Sequence, residues 1–180
     1  MDQNVKRVPV EIYLPATIFR GNLTLKHKRL SDYMNAKMCE GMLRLDDVEI
    51  QTFSGKSSPI KSKSAFVYKR QVTFLIDLSS TPSTTGESEE LSKVNKKARR
   101  VLMEVGSFWL QGDVHLVPSL ELDSFADGNA SFIPLTTATF VDSRGSQPRT
   151  FLINRKKVHS LMSMTDALPI SAYPALARKK

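Results

Sequence analysis

Apolar and polar positions along the chain form two matched series. Residues 10–78 carry VEIYLPATIFRGNLTL, RLSDYMN, MLRLDDVEIQTF and AFVYKRQVTFLI; residues 101–164 carry LMEVGSFWLQGDVHL, ELDSFAD, FIPLTTATFVD and FLINRKKVHSLM. Gly21 matches Gly112, Leu30 matches Leu122 and Val72 matches Val158, with gaps needed only between blocks. A period of roughly 65–70 residues is too long for a solenoid and describes two copies of one small fold.

Each copy is patterned as β structure. Val10, Ile12 and Leu14 alternate with Glu11, Tyr13 and Pro15, the period of a half-buried strand. Residues 18–25 continue as a second strand with Gly21 inside it, and Gly112 takes the same place in FWLQGDVHL. A glycine inside a strand marks a bulge or bend, as a small barrel needs where a long strand curls. Residues 29–35 and 121–127 predict a single helical turn, with Ser31 and Asp123 as caps and Leu30 with Met34, or Leu122 with Phe125, turned inward. Residues 42–53 and 132–141 form a third strand. Each copy then closes with a hairpin-like pair, 65–68 with 72–76 and 151–153 with 158–161, around polar, basic tips. Phe19 with Ile18, and Trp109 with Phe108, fit the core at the bend of the second strand. Met34, Met38 and Met42, four apart, suggest a packed helix face.

The expected architecture is mainly β: two tandem small SH3-like or Sm-like β-barrel domains, each with one short helical turn. Residues 1–78 form the first repeat and 101–164 the second. Residues 79–100 begin as a Ser/Thr/Pro/Gly linker and turn potentially helical from Glu87, with acids first and bases last. Residues 165–180 form an extended C-terminal arm that packs through Ile170, Tyr173 and Leu176 or receives a partner. A second polar loop, 54–64, is basic through Lys56, Lys61 and Lys63. Repeats this small sit near the lower limit for an independent core and are expected to lean on each other or on a partner.

Composition narrows the function. No apolar run approaches a membrane span, and the N-terminus has no apolar core of a secretion signal. A single cysteine, Cys39, excludes an internal disulfide framework and makes the cytoplasm the default compartment. The net charge of +8 is uneven: residues 1–78 hold 13 Lys/Arg against 8 Asp/Glu, and residues 101–180 hold 8 against 7. A basic surface attracts polyanions, or only keeps the chain in solution.

Catalysis is hard to assemble from these residues. His27, His115 and His159 occupy different repeat positions with no metal-ligand spacing, and Cys39 has no neighbouring cysteine. Asp46 and Asp47 are adjacent and would face opposite sides of a strand. There is no phosphate-binding glycine loop and no nucleophile elbow. An enzyme is not expected, nor a metal or cofactor. Binding fits better. Lys69 and Arg70 beside Tyr68, and Arg155, Lys156 and Lys157, place cations at matched tips, where they could hold a phosphate backbone and stack a base. The leading expectation is a non-enzymatic adaptor that engages a protein partner or self-associates through exposed strand edges or the C-terminal arm; the alternative is an RNA- or DNA-binding protein.

Two resemblances add to this. The blocks LSDYMN (30–35) and LDDVE (45–49), with FVYKRQVTFL (66–75), resemble the two sequence motifs of the Sm-like small-barrel family. That resemblance implies a five-stranded barrel and RNA-base contacts at Asn35 and Arg70; Gln71 stands where that family has glycine. The chain is also similar, over both repeats, to short bacterial β domains of the R-L-S-D-x-L-N / F-I-x-L-T-x-A type. Residues 29–35, 132–140 and 153–158 carry that likeness, which implies no particular activity.

Overall fold

Alternating apolar residues become strands because one face of each can be buried while the other meets water. The computed structural model describes residues 6–25, 29–36, 41–53, 58–79, 96–117, 122, 128–142 and 147–164. In the first half these are β1 (Lys6–Tyr13), β2 (Thr17–Leu25), α1 (Leu30–Asn35), β3 (Met42–Thr52), β4 (Ile60–Tyr68) and β5 (Phe74–Asp77). The second half holds β6 (Lys97–Val105), β7 (Phe108–Leu116), β8 (Phe132–Phe140), β9 (Arg149–Asn154) and β10 (Val158–Ser163). The fold is mainly β, and every strand pair is antiparallel.

The ten strands make one sheet in the order β10-β6-β7-β8-β9-β5-β1-β2-β3-β4. Each half thus orders its own strands fifth, first, second, third, fourth, and the halves meet where β9 pairs with β5. The likeness of the two halves extends to single residues. Pairing of β2 with β3 slips at Gly21, between Arg20 and Asn22, and pairing of β7 with β8 slips at Gly112, between Gln111 and Asp113. Opposite these glycines, Asp47 (φ 54°) and Thr137 (φ 47°) take the left-handed conformation. The Thr137 hydroxyl is held there by Asp113 and by Arg100, whose Nη1 donates over 3.1 Å.

Two apolar cores result. Val10, Ile12, Leu23, Leu25, Leu43, Leu45 and Leu75 lie in the first, with Leu30 and Met34 of α1. Val101, Met103, Val105, Leu110, Val114 and Leu135 lie in the second. The halves exchange residues at the junction. Phe132 and Leu152 of the second half enter the first core, while Tyr13, Phe74 and Ile76 of the first half enter the second. Side chains alternate along a strand, so β5 sends Leu75 one way and Phe74 with Ile76 the other. β9 does the same with Leu152 against Phe151 and Ile153.

Several sequence expectations are corrected. The apolar runs at 65–68 and 72–76 are not a hairpin: β4 pairs with β3, and β5 pairs with β1 and β9. One turn of 3-10 helix, Lys69–Gln71, redirects the chain between them, and Arg155–Lys157 does so between β9 and β10. A segment that can be buried on both faces gains more by lying between two cores than by folding back on its neighbour. Helix α1 starts at Leu30, with Arg29 at its N-cap position and no side-chain cap, so Ser31 lies inside the helix. Met42 belongs to β3 and is exposed, so it shares no helix face with Met34. Residues 97–100, expected as the end of a linker or helix, open β6. Phe19 and Ile18 pack against the two cores, one each, and Phe108 packs against the second. His27, Met38, Cys39, residues 80–95, the second helical turn at 123–127 with Asp123 and Phe125, and the arm 165–180 lie outside the described residues.

A methyl group at Gly112 would stand 2.6 Å from Leu135 Cγ and 2.9 Å from the Thr136 carbonyl oxygen, whereas one at Gly21 would stand 3.0 Å from the Asp46 carbonyl oxygen. Gly112→Ala is therefore expected to lower stability by about 1–3 kcal/mol, and Gly21→Ala by less. Equilibrium unfolding in urea measures both; equal midpoints for the two variants would contradict the difference in crowding.

Candidate binding surfaces

Among the described residues, the matched basic turns and the ends of the sheet present charged or apolar side chains outward. Part of the basic set gathers at the junction. The Asn35 amide forms a two-point clasp with the backbone of Phe132: Nδ2 donates to the carbonyl oxygen over 2.8 Å, and Oδ1 accepts from the amide over 2.9 Å. Lys69 lies over the same Phe132 ring, 6.0 Å from its centroid. The Arg155 amide donates to the Ser131 carbonyl over 2.9 Å. Asn35 and Lys69 therefore meet at Phe132 through their side chains, whereas Arg155 reaches Ser131 through its backbone and lays its guanidinium against Gly128. Asn35, which the sequence offered as an RNA contact, spends its amide on joining α1 to β8.

The other candidates stand apart from that cluster. The Arg70 guanidinium stacks on the Tyr68 ring at 5.2 Å, and both side chains are exposed. Lys156 is exposed and Lys157 half-buried. The Lys156 amide donates to Asn154 Oδ1 over 3.1 Å.

Asn154 was read from sequence only as part of a polar tip, yet it is buried. Its Nδ2 donates to the Val72 carbonyl over 2.7 Å, and its backbone amide to the Thr73 carbonyl over 3.1 Å. One amide side chain thus caps the turn that follows β9 and ties it to the chain entering β5. A polar residue at a position where the other repeat has Tyr68 was the signal for this role. Aromatic packing completes the junction: Phe74 stacks on Tyr13 (4.4 Å between centroids) and on Phe151 (5.6 Å, rings 4° from parallel). A cleft of about 310 Å³ opens beside it, lined by Glu11, Tyr13, Ile76, Phe140, Arg149 and Phe151 among others. There the Tyr13 hydroxyl donates to Glu11 over 3.1 Å, and Arg20 Nε donates to the same carboxylate over 2.6 Å.

The two ends of the sheet differ sharply from the junction. Among the described residues, β4 and β10 each pair on one side only. On the outward face at the β4 end, Met42 and Phe66 are 52% and 60% exposed, and Tyr68 is 52% exposed. Met162 of β10 is 39% exposed. Large apolar side chains next to unpaired backbone amides and carbonyls are a template for strand addition. Lys61 and Lys63 stand farther along β4 and are exposed, a common guard against unlimited pairing.

Among the described residues no three His, Cys, Asp or Glu side chains come together to hold a metal ion. His115 meets Thr136 Oγ1 at 2.8 Å on β7, and His159 lies exposed on β10. Among the described residues no helix is long and apolar enough to cross a membrane. No family model matches the chain, and neither a curated protein nor a solved structure does.

Two outcomes follow from this geometry. Asn35→Ala leaves the Phe132 amide and carbonyl without their partners in a part-buried place, and is expected to cost about 1–3 kcal/mol in chemical unfolding. Burial pushes the Tyr13 phenol well above its ordinary value, and Glu11 adds to this by its charge and by accepting the hydrogen bond. Below about pH 10 the phenol is protonated both folded and unfolded; above it the unfolded chain ionises first, so stability falls as pH rises. Unfolding midpoints measured against pH should lose part of that alkaline slope in Tyr13→Phe; an unchanged slope would show that Tyr13 ionises as freely folded as unfolded.

Proposed function

We propose that this chain is a non-enzymatic binding protein, an adaptor of two duplicated β modules that takes up a protein strand at an unpaired sheet edge. Both halves keep one strand order, fifth-first-second-third-fourth, which suits the small SH3-like or Sm-like barrel expected of each, and they share their cores through β5 and β9. The observation that carries the reading is the exposed trio Met42, Phe66 and Tyr68 beside the open side of β4. A protein gains by covering such apolar area, and the backbone groups of the edge supply a partner's hydrogen bonds. One cysteine in the whole chain suits a reducing compartment such as the cytoplasm.

A second reading, nucleic-acid binding, is favoured by the Arg70–Tyr68 stack, with Lys69 over the ring of Phe132. The two readings part on salt and on residues. Strand addition should survive an increase from about 50 to 200 mM salt and fail in Phe66→Lys, whereas polyanion binding should weaken steeply over that range. The check is retention of bound protein and of a labelled single-stranded oligonucleotide on immobilised wild type, Phe66→Lys and Lys69→Ala/Arg70→Ala. Protein retention that is salt-sensitive and indifferent to Phe66→Lys would overturn the adaptor reading. Oligonucleotide retention lost with the Lys69/Arg70 pair would establish the second.

A further inference from the structure

The junction joins the fourth strand of one half to the fifth strand of the other, and the two strands that pair on one side only among the described residues are again a fourth and a fifth. We propose that the free edge of β4 pairs with the free edge of β10 on a second copy of this chain, in the register that β9 and β5 use, so that copies add head to tail. This rests on reading the β4 edge as a protein-binding surface, and it names the occupant.

Pairing registers fix which residues correspond. On the third and fourth strands, Met42↔Tyr68, Leu43↔Val67 and Leu45↔Ala65 in the first half repeat as Phe132↔Asn154, Ile133↔Ile153 and Leu135↔Phe151 in the second. On the first and fifth strands, Tyr13↔Phe74 and Ile12↔Leu75 repeat as Glu104↔Ser160 and Met103↔Leu161. At the junction Phe74 faces Ile153, Leu75 faces Leu152 and Ile76 faces Phe151. Carried to the open ends by the same correspondence, Ser160 would face Val67, Leu161 would face Phe66, and Met162 would face Ala65 of the next copy.

Burial distinguishes the used surface from the open one. Phe132, Leu152 and Asn154 are 2%, 3% and 5% exposed because they enter or clasp the other half. Met42 and Phe66, the counterparts of Phe132 and Leu152, are apolar too, and Tyr68 stands where the junction has the polar Asn154; all three are more than half exposed. On the reciprocal surface Phe74 and Ile76 are 0% and 3% exposed; Met162, the counterpart of Ile76, is 39% exposed, while Ser160, the counterpart of Phe74, is polar and half-buried. Residues 65–68 carry apolar side chains on both faces of the strand. Inward, Val67 and Ala65 meet their own core; outward, Phe66 and Tyr68 have the chemistry of a buried position without the burial. Lysines occupy β4 at 61 and 63, beyond the stretch that the junction register covers. Because the two surfaces are different, each added copy covers one open edge and presents another of the same kind, until a ring closes or a filament grows.

The test is molar mass by light scattering across a concentration series for wild type, Phe66→Lys, Met162→Lys and an equimolar mixture of the two variants. Both substitutions replace exposed side chains, and unchanged unfolding midpoints confirm that the fold survives. Wild type is expected to exceed the monomer mass. Each variant alone should associate more weakly by roughly 30-fold or more, as loss of an interface anchor does. The mixture should yield one-to-one dimers, since the intact β4 edge of Met162→Lys meets the intact β10 edge of Phe66→Lys. A wild type that stays monomeric, a Met162→Lys protein that dimerises alone through β4 on β4, or a mixture that stays monomeric would each overturn the proposal. If monomeric wild type still retains a foreign protein that Phe66→Lys does not, the second copy is wrong and the binding reading stands; if Phe66→Lys alters neither, both fall.

Discussion

Everything in this molecule depends on the pairing of β5 with β9. It involves three residue pairs, yet each strand lies between two cores and gives alternate side chains to both. A short strand of that kind contributes far more than its hydrogen bonds, since each buried apolar side chain is worth about 1.5–3 kcal/mol. The clasp of Asn35 on Phe132 and the reach of Asn154 to Val72 surround that pairing with hydrogen bonds between halves. Neither half has a complete core alone: the first lacks Phe132 and Leu152 without its neighbour, and the second lacks Tyr13, Phe74 and Ile76. That matches the physical limit on domains of this size, which rarely bury enough apolar surface by themselves.

The same economy explains the outward surfaces. Each half takes part of its core from the other, and apolar side chains stay exposed at the far ends of the sheet. In this chain the neighbour of the first module is the second, covalently supplied, while Met42, Phe66 and Tyr68 at one end and Met162 at the other remain in the open. The basic residues fit around this arrangement. Lys69 lies over Phe132 at the junction and Arg70 on Tyr68, so these two cations border aromatic surface.

The matching strand order of the two halves was legible because the residues that mark it have strict backbone roles. Gly21 and Gly112 mark the same bulge, where a side chain would strike the opposite strand, and Val72 and Val158 follow the same 3-10 turn. The junction was not legible, because β5 and β9 meet across more than seventy residues and nothing local announces the pairing. Its one trace was the apolar character of FLI in both 74–76 and 151–153, which read as half of a hairpin when only the next few residues were considered. Residues 97–100 looked like a linker because three of the four are Lys or Arg; as the outer end of β6, the first three meet water and need no apolar face. The basic tips were placed correctly as turns, but sequence could not separate Asn35 and Asn154, whose amides hold the junction, from Arg70 and Lys156, which face solvent.

The central claim is that one pairing, β5 with β9, is the template for the edges left open. Amide hydrogen exchange read by mass spectrometry at dilute and at concentrated protein tests it directly. The account predicts slow exchange at 74–76 and 151–153 at every concentration, and exchange at 65–68 and 160–162 that is fast when dilute and slows as the protein is concentrated. Exchange at 65–68 and 160–162 that does not change with concentration would contradict it.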